Sequence, residues 1–515
     1  MSVNEELLEV NDVDDYFPFD EQDIAEAKGN NGALSESKPN AVAKKEKQES
    51  DRAKKALDLD SEEIRFISDI SLFQEKYSIV NRNGTTMICF QDKKLGLQFQ
   101  EIGGFHNFNQ QYHYNLEDKN TGKVREVYLT RSFMKSPYTK RYFGIIFDPT
   151  NNAWDNKNYL NLWKGWTVKA LNRKVNISEI QPYIDLTNAM TNDDQQGTEY
   201  LLNYWAHAIQ KPEQLPKTCI VLKGKQGTGK NVHTDTHGSM CSENYVQVTS
   251  SNLLTGNFNG HQQSAFILFA DEAVWGGNSE TEGILKAMIA SPTTIINDKN
   301  RTAFETRNFK RIIVASNEDY PVPVSDGDRR YVVFEVSDRY KGQTAEGQFF
   351  DKYNKWLNNG GRELIFTFLK QRDISKFNVE TEQPKTQAWA ELMITHLNNE
   401  YRFIYELLSE SAQLSKDTEK RDSKNVLKWN RQGLFKNFIE WCKLGNKKYI
   451  PTSDAFGKAM SKVFNFDKDD KNWKANWKDK DGYFYKMPEK HESQRRMAED
   501  YLKVNPKHIF FDFKI

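Results

Sequence analysis

Cysteine is scarce in this chain. Its 515 residues include four, Cys89, Cys219, Cys241 and Cys442, spread apart and without a CxxC pair. That excludes a disulfide framework and the common zinc-site spacings. Histidine shows no metal spacing either. His233 and His237 stand at i and i+4 without a third ligand and are expected to be structural, as is His207 near the apolar face of a helix. Net charge is missing too: 72 Lys+Arg balance 72 Asp+Glu. No global field draws the chain to nucleic acid, yet a basic channel inside a neutral exterior stays possible. No run approaches the roughly 18 apolar residues of a membrane span, and the N-terminus lacks the basic-then-apolar order of a secretory signal. The expectation is a cytoplasmic protein without a membrane partner. No repeat at solenoid or propeller periods is present.

What the chain has is length and uneven texture. Residues 1–60 pair an acidic start, "VNDVDDYFPFDEQDIAEA", with a polar stretch almost free of large apolar side chains, and read as a solvated tail. Phe17 and Phe19 leave a short docking peptide as the alternative. Residues 61–195 turn globular, with strand-like runs such as "TTMICF" between Gly- and Asn-rich turns, and read as an α+β region. Within "GTEYLLNYWAHAIQ", Leu201, Leu202, Trp205, Ala208 and Ile209 recur at helical spacing until Pro212 and Pro216 end the helix. Strand and helix then alternate through 196–345, the mark of an α/β nucleotide-binding sheet. A helical extension is expected at 346–395 and a basic, aromatic domain at 396–515.

The strongest local signal is "TCIVLKGKQGTGKN", residues 218–231. Cys219 to Leu222 read as a buried strand, and Gly224, Gly227 and Gly229 permit the tight turn after it. Such a loop, formed by Gly224, Lys225, Gln226, Gly227, Thr228, Gly229, Lys230 and Asn231, aims backbone N–H groups and a helix N-terminus at phosphate. Lys230 would reach the β- and γ-phosphates of ATP. Asn231 stands where Ser or Thr usually meets Mg²⁺; its amide oxygen is a weaker replacement.

Downstream, "AFILFADEAVW" carries the short apolar run Phe266 to Phe269, ending in Asp271 and Glu272. Carboxylates at a buried strand end are costly unless they have work to do. Asp271 is expected to hold Mg²⁺ and Glu272 to polarise the attacking water. Next comes a hairpin reading: Ile295 and Ile296 on one arm, Ala303 and Phe304 on the other, Lys299 and Arg301 projecting from the tip. "RIIVASNED" is a further buried strand, ending in Ser316 and in Asn317, an amide suited to sensing a γ-phosphate. "DGDRRYVVFEV" then places Arg329 and Arg330 before another strand. The plainer alternatives are surface pairing of these arginines with Asp326 and Asp328, and an ordinary solvated turn at Lys299 and Arg301.

This order of loop, Asp-Glu strand, basic-tipped hairpin, Asn-ended strand and paired arginines resembles the superfamily III P-loop helicases, in particular their phage primase-helicase branch. The resemblance is specific for residues 197–336. It implies an ATP-dependent replicative DNA helicase acting as a ring, usually a hexamer, on single- and double-stranded DNA in a host cytoplasm. Lys230, Asp271, Glu272 and Asn317 would act in cis, Arg329 or Arg330 on the neighbouring subunit's γ-phosphate, and Lys299 and Arg301 on DNA. Asn231 departs from the family pattern and puts the magnesium geometry in question.

The flanks carry weaker signals. The run from Asn161 to Gly165 resembles the segment before the motor in that branch, with Trp163 and Trp166 expected to pack against it. Asp12, Asp14 and Asp15 lie in too polar a setting for a polymerase-like site, so priming would fall to a separate primase or polymerase. At the other end, two helices and the basic aromatic hairpin "WKANWKDKDGYFYK" suggest a winged-helix-like domain, with the second helix capped by Thr452 or Ser453. Trp473, Lys474, Trp477 and Lys478 are its candidate DNA contacts. Two rival functions remain: a P-loop ATPase that remodels or packages nucleic acid without unwinding, and a non-enzymatic DNA-binding replication initiator.

Overall fold

The computed structural model describes residues 61–513 except 119–120, 151–152, 273–278, 300–301, 325–327, 417, 422–424, 426, 448, 465–476, 480–481 and 511. The expected tail at 1–60, with Phe17, Phe19 and the three early aspartates, lies outside the described residues. The described chain forms two units, the first from 61–146 with 153–161 and the second from 147–150 with 162–513.

The first unit opens with helix α1 (Ser61–Lys76) and the meander β1 (Tyr77–Arg82), β2 (Thr85–Asp92) and β3 (Gly96–Glu101). Asn83 and Gly84, both left-handed, join β1 to β2 as Asn-Gly pairs do in two-residue hairpin turns. Helix α2 (Ile102–Phe108), the hairpin β4 (His113–Glu117) and β5 (Val124–Tyr128), and helix α3 (Leu129–Lys135) follow. Strand β6 (Arg141–Tyr142) then adds parallel to β1, giving the order β3-β2-β1-β6. The core is aromatic: Phe66, Phe73, Tyr77, Phe105 and Phe133 are all buried in one cluster. A two-strand pair, β7 (Ile145–Ile146) with β8 (Leu160–Asn161), closes the unit.

In the second unit, helices α4 (Gln181–Met190) and α5 (Gln195–Gln210) precede β9 (Cys219–Lys223) and α6 (Lys230–Gly238). Strands β10 (Tyr245–Val248) and β11 (Ile267–Asp271), helix α7 (Ser279–Ala290), and the hairpin β12 (Thr293–Ile296) and β13 (Phe304–Arg307) come next. Strands β14 (Arg311–Ser316) and β15 (Tyr331–Glu335) complete a parallel sheet ordered β10-β11-β14-β9-β15. Its β14 residues are all buried, as expected for a strand covered on both faces. The order decides where chemistry can occur. Strands β11, β14 and β9 are neighbours running the same way, so the groups after Asp271, Ser316 and Lys223 emerge side by side along the carboxyl edge, where such sheets bind ligands.

Helices α8 (Phe349–Trp356), α9 (Arg362–Gln371) and α10 (Gln387–Thr395) occupy the expected helical extension. After α11 (Asn399–Leu408) come β16 (Glu419–Arg421), β17 (Leu427–Asn430), α12 (Arg431–Leu444), α13 (Ser453–Phe464), β18 (Trp477–Asp479) and β19 (Gly482–Lys486), with sheet order β16-β17-β19-β18. Thr452 Oγ1 accepts the Ala455 N–H at the start of α13. One buried apolar cluster runs from Cys219, Leu268 and Val314 in the parallel sheet to Phe403, Phe438, Phe456 and Met460 among these helices. The second unit therefore has no break at the expected boundaries near 345 and 395, and its long segment starts at Leu162 instead of near 196. Packing explains that start. Trp163 and Trp166 set their rings 4.9 and 5.5 Å from Phe266, Trp166 lies 5.5 Å from Phe366, and Asn244 donates to the Leu162 carbonyl at 2.9 Å. Among the described residues no helix is long and apolar enough to cross a membrane.

Candidate nucleotide site

The loop after β9 leaves the sheet at Gly224, where a Cβ would sit 2.9 Å from the Val336 Cβ. It ends at Gly229, which takes φ +97° as the N-cap of α6 and lies against Phe350, so a Cβ there would meet that ring at 2.7 Å. Two glycines are thus required for different reasons, one for close backbone approach and the other for a left-handed turn beside an aromatic ring. Thr228 Oγ1 donates to the Lys225 carbonyl at 2.9 Å and stiffens the loop.

Lys230 is buried, and its Nζ donates to the carbonyls of Gly224 at 2.5 Å and Lys225 at 2.9 Å. Burial pushes its ammonium below the ordinary lysine value, while the nearby charges of Glu272 and Asp271 pull it back up. Asn231, one residue on, donates from Nδ2 to Asp271 Oδ2 at 2.6 Å, and Gln247 on β10 donates to the same oxygen at 2.9 Å. Asn231, which stands where Ser or Thr was expected, therefore bridges the loop to the acidic strand end. Glu272 adopts φ +56°, a costly conformation for a residue with a Cβ. Its backbone N–H bonds the Ala315 carbonyl at 2.9 Å, and its Oε2 accepts the backbone N–H of Asn317 at 3.2 Å. It is that backbone N–H of Asn317 that meets Glu272; the residue itself is exposed.

These groups share a cleft of ≈ 560 Å³, lined by Gln226 to Val232, Asp271 and Glu272 on one side. The other wall comes from Thr344 and one face of α8 with the turn after it, a contribution unmarked in the sequence except by helical spacing. The Asp271 carboxylate suits a hard cation such as Mg²⁺, but Asn231 presents its Nδ2 donor to that carboxylate, so its amide would have to turn over to offer oxygen as a ligand. No group of three or more His, Cys, Asp or Glu side chains able to hold a metal occurs among the described residues, so phosphate oxygens would have to complete the shell.

The paired arginines part company. Arg330 turns to the buried Asp328: its N–H donates to Oδ1 at 2.8 Å and its Nη1 lies 3.7 Å from Oδ2, which Lys286 approaches at 3.8 Å. Arg329 is exposed and has no ion pair among the described residues; only its carbonyl is engaged, by Gln383 Nε2. Asp326 lies outside them.

The hairpin forms with the expected arms, Ile295 opposite Glu305 and Ile296 opposite Phe304. Lys299 is exposed beyond β12; Arg301 lies outside the described residues. The loop after α6 and β10 braces the hairpin in a way that sequence reasoning missed. Asn259 donates from its backbone to the Asn297 carbonyl at 3.1 Å and from Nδ2 to the Ile295 carbonyl at 2.9 Å, while its Oδ1 accepts the Asn297 N–H at 2.8 Å. Its signal was a polar Asn-rich segment, indistinguishable from any surface loop. Trp473 and Lys474 lie outside the described residues, and Trp477 and Lys478 fall on β18, in a hairpin with β19. His233 and His237 sit buried in an aromatic cluster, His237 stacked 3.7 Å from Trp205 and bonded to the Tyr183 hydroxyl at 3.2 Å. All four cysteines are buried free thiols.

Similarity to known proteins falls on this same region. A family of unknown function (DUF5906) matches residues 222–330, from the end of β9 through the paired arginines. The DNA primase-polymerase of Nitratiruptor phage NrS-1 is 27% identical over 256 residues, 48% of this chain and 35% of that protein, so the chain spans about a third of that relative's length. The apo NrS-1 C-terminal region superimposes with a TM-score of 0.54 at 17% identity, covering 81% of this chain and 97% of that one. A second apo form of the region gives 0.50 at 20% identity, over 66% and 77%. The α/β fold is shared with that region.

Proposed function

We propose that this chain is an ATP-driven DNA helicase of phage or mobile-element replication: a superfamily III P-loop motor with a winged-helix-like C-terminal part, acting as a ring-shaped homo-oligomer. The observation that carries the reading is the Asn231–Asp271 hydrogen bond of 2.6 Å, which joins a phosphate-binding loop to an acidic strand end in one cleft. The exposed Lys299 on a braced hairpin supplies a path to DNA, and likeness to a phage replication protein supports the setting.

ATP would lay its phosphates along the loop N–H groups and the N-terminus of α6. Lys230 then exchanges two backbone carbonyls for β- and γ-phosphate oxygens, regaining the charge partner that burial denies it. Asp271, with Asn231, would hold Mg²⁺, whose chemistry is to neutralise charge on those oxygens. Glu272 orients the attacking water once its carboxylate leaves the Asn317 N–H. Arg329, exposed where Arg330 is anchored, is the arginine that can reach a neighbouring subunit. The strand order β17-β19-β18, with α12 and α13 between β17 and β18, supports the winged-helix-like reading. Its β18 carries Trp477 and Lys478 as candidate DNA contacts.

The deciding test is unwinding of forked DNA with ATP beside a Lys230→Ala control. Strand separation that disappears in the variant is expected. ATPase activity without unwinding would favour remodelling or packaging, and loss of neither activity in Lys230→Ala would remove the site.

A further inference from the structure

We propose that the first unit carries an anchor for single-stranded DNA, built on α3 and β6, that holds the strand with or without nucleotide; the choice of DNA rests on the replication reading above. Charge is balanced over the whole chain but not here. Between Lys123 and Phe143 stand Lys123, Arg125, Arg131, Lys135, Lys140 and Arg141 against one carboxylate, Glu126. That carboxylate lies on β5 beside His113, at 4.0 Å.

Local structure decides which way these side chains face. Arg131 and Lys135 are one helical turn apart and both exposed, so they share a face of α3. The loop that follows is pinned by its small polar residues. Ser136 is buried, and its Oγ accepts Gln74 Nε2 at 2.9 Å and the Tyr138 N–H at 3.2 Å. Thr139, also buried, donates from Oγ1 to the Phe133 carbonyl at 2.6 Å. With these two turned inward, Lys140 and Arg141 are exposed. The Lys140 carbonyl accepts the Ile79 N–H at 2.9 Å, and its ammonium sits 4.9 Å from the centre of the Tyr142 ring. Arg141 reaches back to the Met134 carbonyl at the end of α3. The cations thus form one track from the helix onto the strand.

Among the described residues, no carboxylate stands within ion-pair distance of Arg131, Lys140 or Arg141. Like charges held this close repel one another, and an anion laid along them relieves the repulsion. Phe143 points to which anion. It follows Arg141 by two residues, is 66% exposed, and lies 6.1 Å from Tyr159 in an edge-to-face pair. Its backbone N–H is held by the Asn158 carbonyl at 2.8 Å. A fixed ring beside a row of cations offers stacking to an unpaired base and charge to successive phosphates, the two contacts that single strands use. A duplex keeps its base faces covered, and an acidic peptide has no base to stack.

The test is fluorescence anisotropy of a labelled thymidine oligonucleotide, with and without a non-hydrolysable ATP analogue. The full chain is used with Lys299→Ala and Arg301→Ala, which remove the proposed hairpin contacts. Affinity independent of the analogue is expected. Lys140→Ala with Arg141→Ala should flatten the slope of log affinity against log salt by about 1.4, two phosphates at about 0.7 each. Phe143→Ala and Phe143→Leu should each weaken binding roughly tenfold, while Phe143→Trp retains it. Unchanged melting temperatures at these exposed positions separate lost contact from lost fold. Photocrosslinking of a bromodeoxyuridine strand should map to Phe143. Crosslinks confined to the second unit, variants that bind as wild type, or duplex or polyglutamate bound as tightly as the single strand would overturn the inference. Uridine RNA bound more tightly than its DNA counterpart would overturn DNA as the occupant. Lys230→Ala should bind the strand normally, so an anchor that persists in a protein unable to unwind DNA would stand while the helicase reading fell.

Discussion

Replacing each of the paired arginines in turn tests whether Arg329 acts on a neighbouring subunit, as proposed, while Arg330 holds its own fold. Asp328 is 1% exposed at its side chain, with Arg330 at 3.7 Å and Lys286 at 3.8 Å. Removing one partner of a buried charge costs about 3–5 kcal/mol when nothing replaces it. Here Lys286 remains, though shared with Glu282 at 2.5 Å, and the Arg330 backbone bond survives substitution, so Arg330→Ala should cost roughly half, about 2 kcal/mol. For a folded unit of this size that lowers Tm by about 3 °C. Arg329 is exposed, and Arg329→Ala should change stability by no more than about 0.5 kcal/mol. Its expected effect is catalytic: loss of an arginine acting in trans lowers turnover by roughly 10³–10⁵-fold. Thermal melts and ATPase assays read the two effects separately. Mixing Arg329→Ala with Lys230→Ala protein should then restore part of the activity, because an intact loop from one subunit meets an intact arginine from the other. The reasoning fails if Arg329→Ala turns over normally, if mixing restores nothing between subunits shown to exchange, or if Arg330→Ala is catalytically dead but as stable as wild type.

Three further outcomes are expected. Glu272→Gln should bind ATP yet hydrolyse it about a hundredfold more slowly, measured as single-turnover hydrolysis; near-normal turnover would displace Glu272 as the base. Lys299→Ala with Arg301→Ala should lower unwinding and flatten the salt dependence of DNA binding, and unchanged unwinding would take the hairpin off the DNA path. Burial holds His233 neutral, its pKa pushed down to about 3, whereas the unfolded chain takes up that proton near 6.5. Stability from this group is therefore complete above pH 6.5 and lost as pH falls toward 3, about 2 kcal/mol being gone by pH 5. Urea unfolding at pH 7 and pH 5 should show that loss shrinking in His233→Phe; an identical loss in both proteins would remove the histidine from the acid limb.

Residues 218–231 and 265–272 carried the candidate nucleotide site in the sequence because their signals are local. A buried strand must be apolar, a phosphate turn must contain glycine, and carboxylates at the end of an apolar run stand out against it. The hairpin at Ile295 and Phe304 was legible for the same reason, since pairing across a short turn leaves its pattern within a few residues. What tertiary structure alone decided is everything set by groups distant in the chain. Gln247 reaches Asp271 only because β10 lies beside β11 in the sheet. Asn354 and Asn358 enter the cleft only because Gly342 and Phe350 seat their segment on the loop. Arg329 and Arg330, adjacent and chemically identical, could not be told apart until Arg330 paired with Asp328, an aspartate that Lys286 and Lys385 also hold. The unit boundary at Leu162 was hidden in the same way. A tryptophan's partners are chosen by the aromatic surface that folding brings to it, and no spacing along the chain records that choice.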